Sequence, residues 1–292
     1  MAPLKFLEMY PLKKLCTLGI GGAARYLLEV QATDEMQQAL KYCHQKKLPY
    51  FILGKGSNCL FSDEGFDGLV IVNKISFLNH SSSSIFHVGS GYSFSLLGVQ
   101  TARLGYSGLE FASGIPATVG GAVYMNAGAN GGETCDALMS VDYIDEQGCL
   151  KNFSRRELQF AYRFSPFQKL PGAIVGATFE LKTDPQARQK QLEILAYRKK
   201  TQPLAAKSAG CIFQNPAGDH AGKLIEACGL KGTNIGGAEV SQVHANFLIN
   251  KDAATAKELL ALISEIKKQV KNMAGIELQS ELRIIPYLLE NA

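Results

Sequence analysis

The stretch Gly108-Leu109-Glu110-Phe111-Ala112-Ser113-Gly114-Ile115-Pro116-Ala117-Thr118-Val119-Gly120-Gly121-Ala122-Val123-Tyr124-Met125-Asn126-Ala127-Gly128-Ala129 decides the fold. Small polar residues are interleaved with glycine along it. Glycine lets backbone N–H groups turn toward one point with no Cβ in the way, which is how a loop cradles a phosphate. Three other clusters share this chemistry: Gly19-Ile20-Gly21-Gly22, Gly54-Lys55-Gly56-Ser57-Asn58, and Asn126-Ala127-Gly128-Ala129-Asn130-Gly131-Gly132. Any one alone reads as a tight turn. Their crowding into the first half of a chain with 29 glycines in 292 residues, against a usual ~7%, favours a bound, phosphate-bearing ligand.

The common cradles are missing. A dinucleotide fingerprint needs G-x-G-x-x-G, but its third position is Cys59 after Gly54-Lys55-Gly56 and Phe94 after Gly89-Ser90-Gly91. Neither a G-x-x-x-x-G-K-[ST] loop nor a G-x-S-x-G elbow occurs. The five histidines show no metal-ligand spacing, so no metal is expected. What remains is a diphosphate cofactor held by a non-Rossmann fold.

Composition sets the wider limits. Hydrophobic residues make up 46% and charged residues 19%, an ordinary globular balance, and the length favours two domains. Lys and Arg exceed Asp and Glu by 30 − 26 = 4, with no basic run longer than Arg198-Lys199-Lys200. Nucleic acid is therefore not implied as a partner, whereas a small anionic substrate needs only a few placed cations. No apolar run has signal-peptide or membrane-spanning length, so no membrane insertion and a cytoplasmic setting are expected. Seven cysteines without a C-x-x-C pair read mostly as reduced, buried thiols.

Periodicity places the elements. A strand over 26–30, a helix from Thr33 with Met36, Ala39, Leu40 and Cys43 on one face, and a strand over 50–53 form a β-α-β unit closed by the 54–58 cluster. Strands follow over 68–72, 85–88, 140–144 and 173–181, with a polar turn over 81–84 and a helix over 94–104. A charged helix over 184–200 marks a domain break near Asp184, and a short helix spans 221–228. Thr255-x-x-Glu258 forms a capping box before Leu259, Leu262, Ile263, Ile266, Val270 and Met273, and Gly275 stops that helix. A last strand over 276–285 contains Glu281.

The opening stretch is joined in order by Tyr162-Arg163-Phe164-Ser165, Ser208-Ala209-Gly210-Cys211-Ile212-Phe213-Gln214-Asn215-Pro216 and Gly236-Gly237-Ala238-Glu239-Val240-Ser241. His244-Ala245-Asn246-Phe247 and Gly275-Ile276-x-Leu278-x-x-Glu281 complete the set. Together they resemble the UDP-N-acetylenolpyruvoylglucosamine reductase family from about residue 15 to 283. The resemblance implies an α+β fold: a two-lobed FAD-binding domain of the PCMH or vanillyl-alcohol-oxidase type over 1–184, then an α+β substrate-binding domain over 185–292. The last strand has two placements open, on the C-terminal domain or back on the FAD lobes. The lack of an inserted loop between Ser165 and Ser208 resembles the shorter, type II branch.

The same resemblance implies the chemistry. NADPH reduces FAD, and the enol ether of UDP-GlcNAc-enolpyruvate then takes the hydride, giving UDP-N-acetylmuramate for peptidoglycan precursor synthesis. Arg163 matches the arginine that holds developing carboxylate charge, Glu281 the glutamate that acts with it, and Cys211 the proton donor, where many members carry serine. A thiol, with a pKa of roughly 8.5, is a better acid than an aliphatic hydroxyl. FAD falls to Gly54, Gly56, Ser57, Asn58, Ser113, Gly114, Ile115, Pro116, Thr118, Gly120, Gly121, Asn126 and Gly128. Lys55 and Ala117 replace glycines usual in the family, and Gly19 a common basic residue. Substrate falls to Tyr162, Arg198, Lys199, Gln202, Ser208, Asn215 and Glu239, and a monomer is expected. Two other readings stand beside this one: an FAD-dependent oxidase of the same superfamily, and a nucleotide-sugar-binding protein without chemistry.

Overall fold

The computed structural model describes residues 4–80 and 84–288, so Ser81, Ser82 and Ser83 of the expected polar turn lie outside it. Close contacts divide the chain into two units. Unit one takes the residues up to Leu7, Leu27–Lys55 and Leu69–Tyr197; unit two takes Glu8–Tyr26, Gly56–Gly68 and everything from Arg198. This division differs from a single break near Asp184. The charged helix, Ala187–Thr201, runs past Tyr197, and two N-terminal segments cluster with the C-terminal part.

In unit one, α1 (Thr33–Lys46) buries Met36, Ala39, Leu40 and Cys43, the four residues its spacing singles out. The strand Tyr50–Leu53 after it pairs in parallel with Gly65–Asn73. On its other side Gly65–Asn73 neighbours Ala23–Val30. The strand, helix and strand of the expected β-α-β unit are all present, and Gly65–Asn73 lies between its two strands in the sheet. That strand is buried at nearly every position, the pattern of a strand covered on both faces, and such a strand belongs inside a sheet rather than at its edge.

A second, antiparallel sheet of unit one runs Leu150–Ser154, Leu138–Asp145, Gly172–Glu180, Ile85–Gly89, Leu78–His80. Helix α2 (Phe94–Arg103) contributes Phe94 and Leu97 to its core, and α3 (Val119–Met125) contributes Val119 and Val123. Phe86, Val141 and Phe179 meet them from the sheet. Each helix is opened by a side-chain cap, Ser93 Oγ accepting from Leu96 N and Thr118 Oγ1 from Gly121 N. Helix α4 is the charged Ala187–Thr201.

In unit two, a sheet runs Ser208–Cys211, Phe247–Asn250, Ala238–Val240, Asn234–Ile235. Helices α5 (Ala221–Ala227) and α6 (Ala256–Ala274) pack with it around Leu18, Ile20, Ile212, Phe213 and Leu248. The capping box of Thr255 and Glu258 forms, and Gly275 closes α6 at φ 69°. The buried stripe ends at Val270; Met273 is exposed.

The expected last strand is also corrected. Only Arg283–Ile285 is a strand, paired in parallel with Cys59–Phe61, and Glu281 precedes it. Between Gly275 and Glu281 the chain changes partners: Gln279 O accepts from Gln214 N at 2.9 Å, and Glu281 N donates to Ile212 O at 2.8 Å. The seven cysteines are all free thiols, but only Cys16 and Cys43 are buried and Cys149 is exposed, which revises the expectation of mostly buried thiols.

Candidate functional site

In unit one the glycine-rich stretch is stitched to the loop before α2. Ser93 and Thr118 form an antiparallel bridge. Phe94 N donates to Ala117 O at 3.0 Å, Val119 N to Tyr92 O at 2.9 Å and Gly120 N to Ser90 O at 2.8 Å. Gly54 closes against the same place, where a Cβ would lie 2.5 Å from Thr118 Oγ1, so a side chain there would displace the hydroxyl that caps α3. Gly114 N donates to Ser95 Oγ at 2.7 Å. Ser113 is fully buried, and its Oγ has no hydrogen-bond partner among the described residues. A buried hydroxyl left without a partner costs about 1–3 kcal/mol, so it points to a group not drawn from the chain.

Asn126, offered as a cofactor ligand, is engaged within the fold. Its Nδ2 donates to Glu133 Oε2 at 2.8 Å and to Ala161 O at 2.9 Å, and its Oδ1 accepts from Cys135 N at 3.1 Å. This ties the Gly128–Ala129 and Gly132–Glu133 hairpin to the turn that carries Arg163. In that turn Ala161 and Phe164 exchange both backbone hydrogen bonds, at 3.1 and 3.0 Å. Arg163 occupies its third position at φ 56°, a left-handed conformation that is uncommon for a side-chain-bearing residue. Its Nη2 donates to Gly128 O at 2.9 Å, and its guanidinium carbon lies 4.7 Å from the Tyr162 ring centre. A Cβ on Gly128 would stand 2.6 Å from Gly132 O and 3.3 Å from Arg163 Nη1, so glycine there lets the hairpin close beside the guanidinium. Gln168 Nε2 holds Arg163 O at 3.0 Å, and Ser165 Oγ donates to Tyr124 O at 2.6 Å.

In unit two, Gly56 O accepts from Thr17 N at 3.1 Å, Ser57 follows, and Asn58 Nδ2 donates to Glu281 O at 3.0 Å. Cys211 ends its strand opposite Phe247. The residues just after it are fastened on both sides. Asn246 uses its amide like a peptide group, accepting from Phe213 N at 2.9 Å and donating to Phe213 O at 2.8 Å, while its own carbonyl accepts from Ile212 N at 2.9 Å. Glu281 N meets Ile212 O from the other side, so Cys211 and Glu281 sit on joined backbone segments. Arg198 is buried; burial pushes its guanidinium below the ordinary arginine value, and the nearby Cys211 in its anionic form acts in the opposite sense.

The remaining substrate candidates scatter more. Gln202 keeps a buried Oε1 with no partner among the described residues, and Lys199 is exposed. Ser208 and Glu239 both flank Ile249 across the sheet, which puts them on one face. Glu239 is buried and paired with Lys251. Asn215 Oδ1 accepts from Ala221 N at 3.0 Å, at the start of α5.

Comparison with known proteins places this geometry. Residues 24–154 match the FAD binding domain model, and residues 202–285 match that of the UDP-N-acetylenolpyruvoylglucosamine reductase, C-terminal domain. A UDP-N-acetylenolpyruvoylglucosamine reductase of Protochlamydia amoebophila is 59% identical over 98% of this chain and 97% of its own length. The chain belongs to the UDP-N-acetylenolpyruvoylglucosamine reductase family. The namesake of Chlamydia muridarum is 49% identical over 98% of this chain and 96% of its own length. The crystal structure of the reductase (MurB) from Thermus caldophilus aligns at TM-score 0.82 and 36% identity, covering 98% of this chain and 100% of that one.

Membership confirms the α+β architecture with an FAD-binding domain ahead of the reductase C-terminal domain. The loop chemistry of unit one fits FAD: a close-packed glycine cradle and a buried hydroxyl with an unused hydrogen bond. Tyr162, Arg163, Arg198 and Lys199 fall between the two matched segments. Sequence reasoning missed three contacts that hold candidate residues or their neighbours: Gln168 on Arg163, Glu133 on Asn126, and Asn246 on Ile212 and Phe213, the residues after Cys211. Of these only Asn246 lay within a quoted motif; the other two touch their partners through contacts that no local spacing announces.

Proposed function

We propose that this chain is an FAD-dependent reductase that uses NADPH to convert UDP-N-acetyl-3-O-(1-carboxyvinyl)-glucosamine into UDP-N-acetylmuramate for peptidoglycan precursor synthesis. Bound FAD supplies the relay by which the hydride of NADPH reaches the enolpyruvyl group. Ser113, Gly114, Ile115, Pro116, Thr118, Gly120 and Gly121 hold the cofactor with Gly54, Gly56, Ser57 and Asn58, while Asn126 and Gly128 shape the loop that continues from them.

The chain's own work concerns charge and a proton. Hydride arrival at C3 of the enol ether turns CH2 into CH3 and pushes an electron pair through C2 into the carboxylate. Arg163 meets that charge with a planar, permanently cationic fork. The Cys211 thiol then delivers its proton to C2, and the thiolate left behind is stabilised by Arg198. Glu281 acts with them, its backbone fixed to the Cys211 segment. Tyr162, Lys199, Gln202, Ser208, Asn215 and Glu239 bind the sugar nucleotide. The observation that carries this reading is Cys211 itself: a thiol beside a buried guanidinium, on a strand end fastened at the next residue to both Asn246 and Glu281.

No helix among the described residues is long and apolar enough to cross a membrane. Our reading adds a monomer acting in the cytoplasm. The direct test is spectroscopic. Purified protein should be yellow, bleach anaerobically with NADPH, and regain its colour when the enolpyruvyl sugar nucleotide is added. Protein that cannot be loaded with FAD, or reduced flavin that ignores the sugar nucleotide, would overturn the proposal.

A further inference from the structure

Strands Tyr50–Leu53 and Gly65–Asn73 run in parallel with Leu53 opposite Val72. Two residues past that pair stand Lys55 and Lys74. Both lysines therefore leave the carboxyl end of a parallel strand pair, the end outside which ligands gather in open α/β sheets. Lys55 reaches Ser93 Oγ at 3.0 Å, a neutral partner on the residue bridged to Thr118. Among the described residues neither ammonium is paired with a carboxylate. Burial first, and the Lys74 charge second, hold the Lys55 pKa below the ordinary lysine value. Two like charges gathered beside a glycine cradle, with no acid to offset them, are unfavourable until an anion arrives.

We propose that Lys55 and Lys74 together supply the counter-charge for the diphosphate of FAD, two ammonium groups meeting a doubly anionic diester. This rests on the FAD reading above and extends it to two residues outside the glycine cradle. It also gives a purpose to the lysine that interrupts Gly54-Lys55-Gly56. A diphosphate is shared by FAD, NADPH and the UDP-sugar. FAD is favoured because Lys55 directly follows the close-packed Gly54 and reaches Ser93, the residue bridged to Thr118 in the glycine-rich stretch.

The test uses the full chain freed of flavin, titrated with FAD and, separately, with riboflavin, which lacks the diphosphate, following flavin fluorescence. Lys55→Gln and Lys74→Gln should each weaken FAD binding roughly 3- to 10-fold at low salt, as expected for loss of a charge-assisted contact from an exposed lysine. The deficit should shrink at about 0.5 M salt. Riboflavin affinity and the KM for the UDP-sugar in flavin-loaded protein should stay unchanged, and Lys55→Arg should restore FAD binding. FAD affinity unaltered in both Gln variants, an equal loss for riboflavin, or a rise confined to the UDP-sugar KM would overturn the lysine pair alone. A wild-type chain that takes up neither flavin would overturn the FAD reading and this inference with it.

Discussion

Arg163 shows what a single residue can be asked to bear. A left-handed backbone costs a non-glycine residue about 1–2 kcal/mol, and such strain persists where surrounding contacts over-determine it. Here Gly128 O, the Tyr162 ring and Gln168 hold the residue in place. Arg163→Gly should therefore keep Tm within a few degrees, because relieved strain offsets the lost contacts, while kcat falls ~100-fold or more. Retained kcat would remove Arg163 from the chemistry, and a collapsed Tm would make it structural. His244 gives a second residue-scale expectation. Burial holds its imidazole below the ordinary histidine value, and its Nδ1 accepts from Asn246 N at 3.2 Å, which needs that nitrogen unprotonated. Below about pH 6.5 the unfolded chain gains a proton that the folded chain resists, so stability is lost as pH falls through that range. Melting curves should show Tm dropping from pH 7 to about 5.5, with a flatter profile for His244→Gln over the same window. Parallel profiles would contradict this. The Gly128 contact of Arg163 and the Phe213 contact of the Asn246 amide could not be read from local sequence, since they span 35 and 33 residues of chain.

At the scale of elements, periodicity performs well where one helix face meets one core. α1 and α6 were readable because their apolar spacing repeats over several turns, and α6 also carries a capping box and a glycine stop. Strand neighbours were not, because pairing is decided by contacts between distant segments. Gly65–Asn73 entered between two strands that follow one another in sequence, and Glu281 left a strand that its flanking apolar residues suggest. The start of α6 shows a distant contribution as well. Asp63, from the turn before Gly65–Asn73, accepts from Ala256 N at 2.7 Å and Lys257 N at 3.1 Å, adding a carboxylate to the Thr255 and Glu258 box. Asp63→Ala should cost about 1–2 kcal/mol, a fall in Tm of roughly 2–6 °C, with flavin content unchanged. Calorimetry on holoprotein checks it, and an unshifted Tm would mean that the box alone suffices.

For the whole molecule, function was more accessible from sequence than chain path. The ordered motifs carry the family, and the 59% identical relative over nearly the full length agrees with them. The units are interleaved, since Ala23–Val30 and Gly65–Asn73 each begin in unit two and end in unit one. No composition shift marks those crossings, so a linear boundary could not have found them. The chemistry assigned to the chain comes down to Cys211 as the proton donor, and its two half-reactions can be separated. In anaerobic stopped-flow absorbance of the Cys211→Ala holoprotein, NADPH should bleach the flavin at a near wild-type rate. Reoxidation by the enolpyruvyl sugar nucleotide should slow by ~10^2–10^4-fold, the usual worth of a positioned general acid. Reoxidation at the wild-type rate would contradict the role given to Cys211.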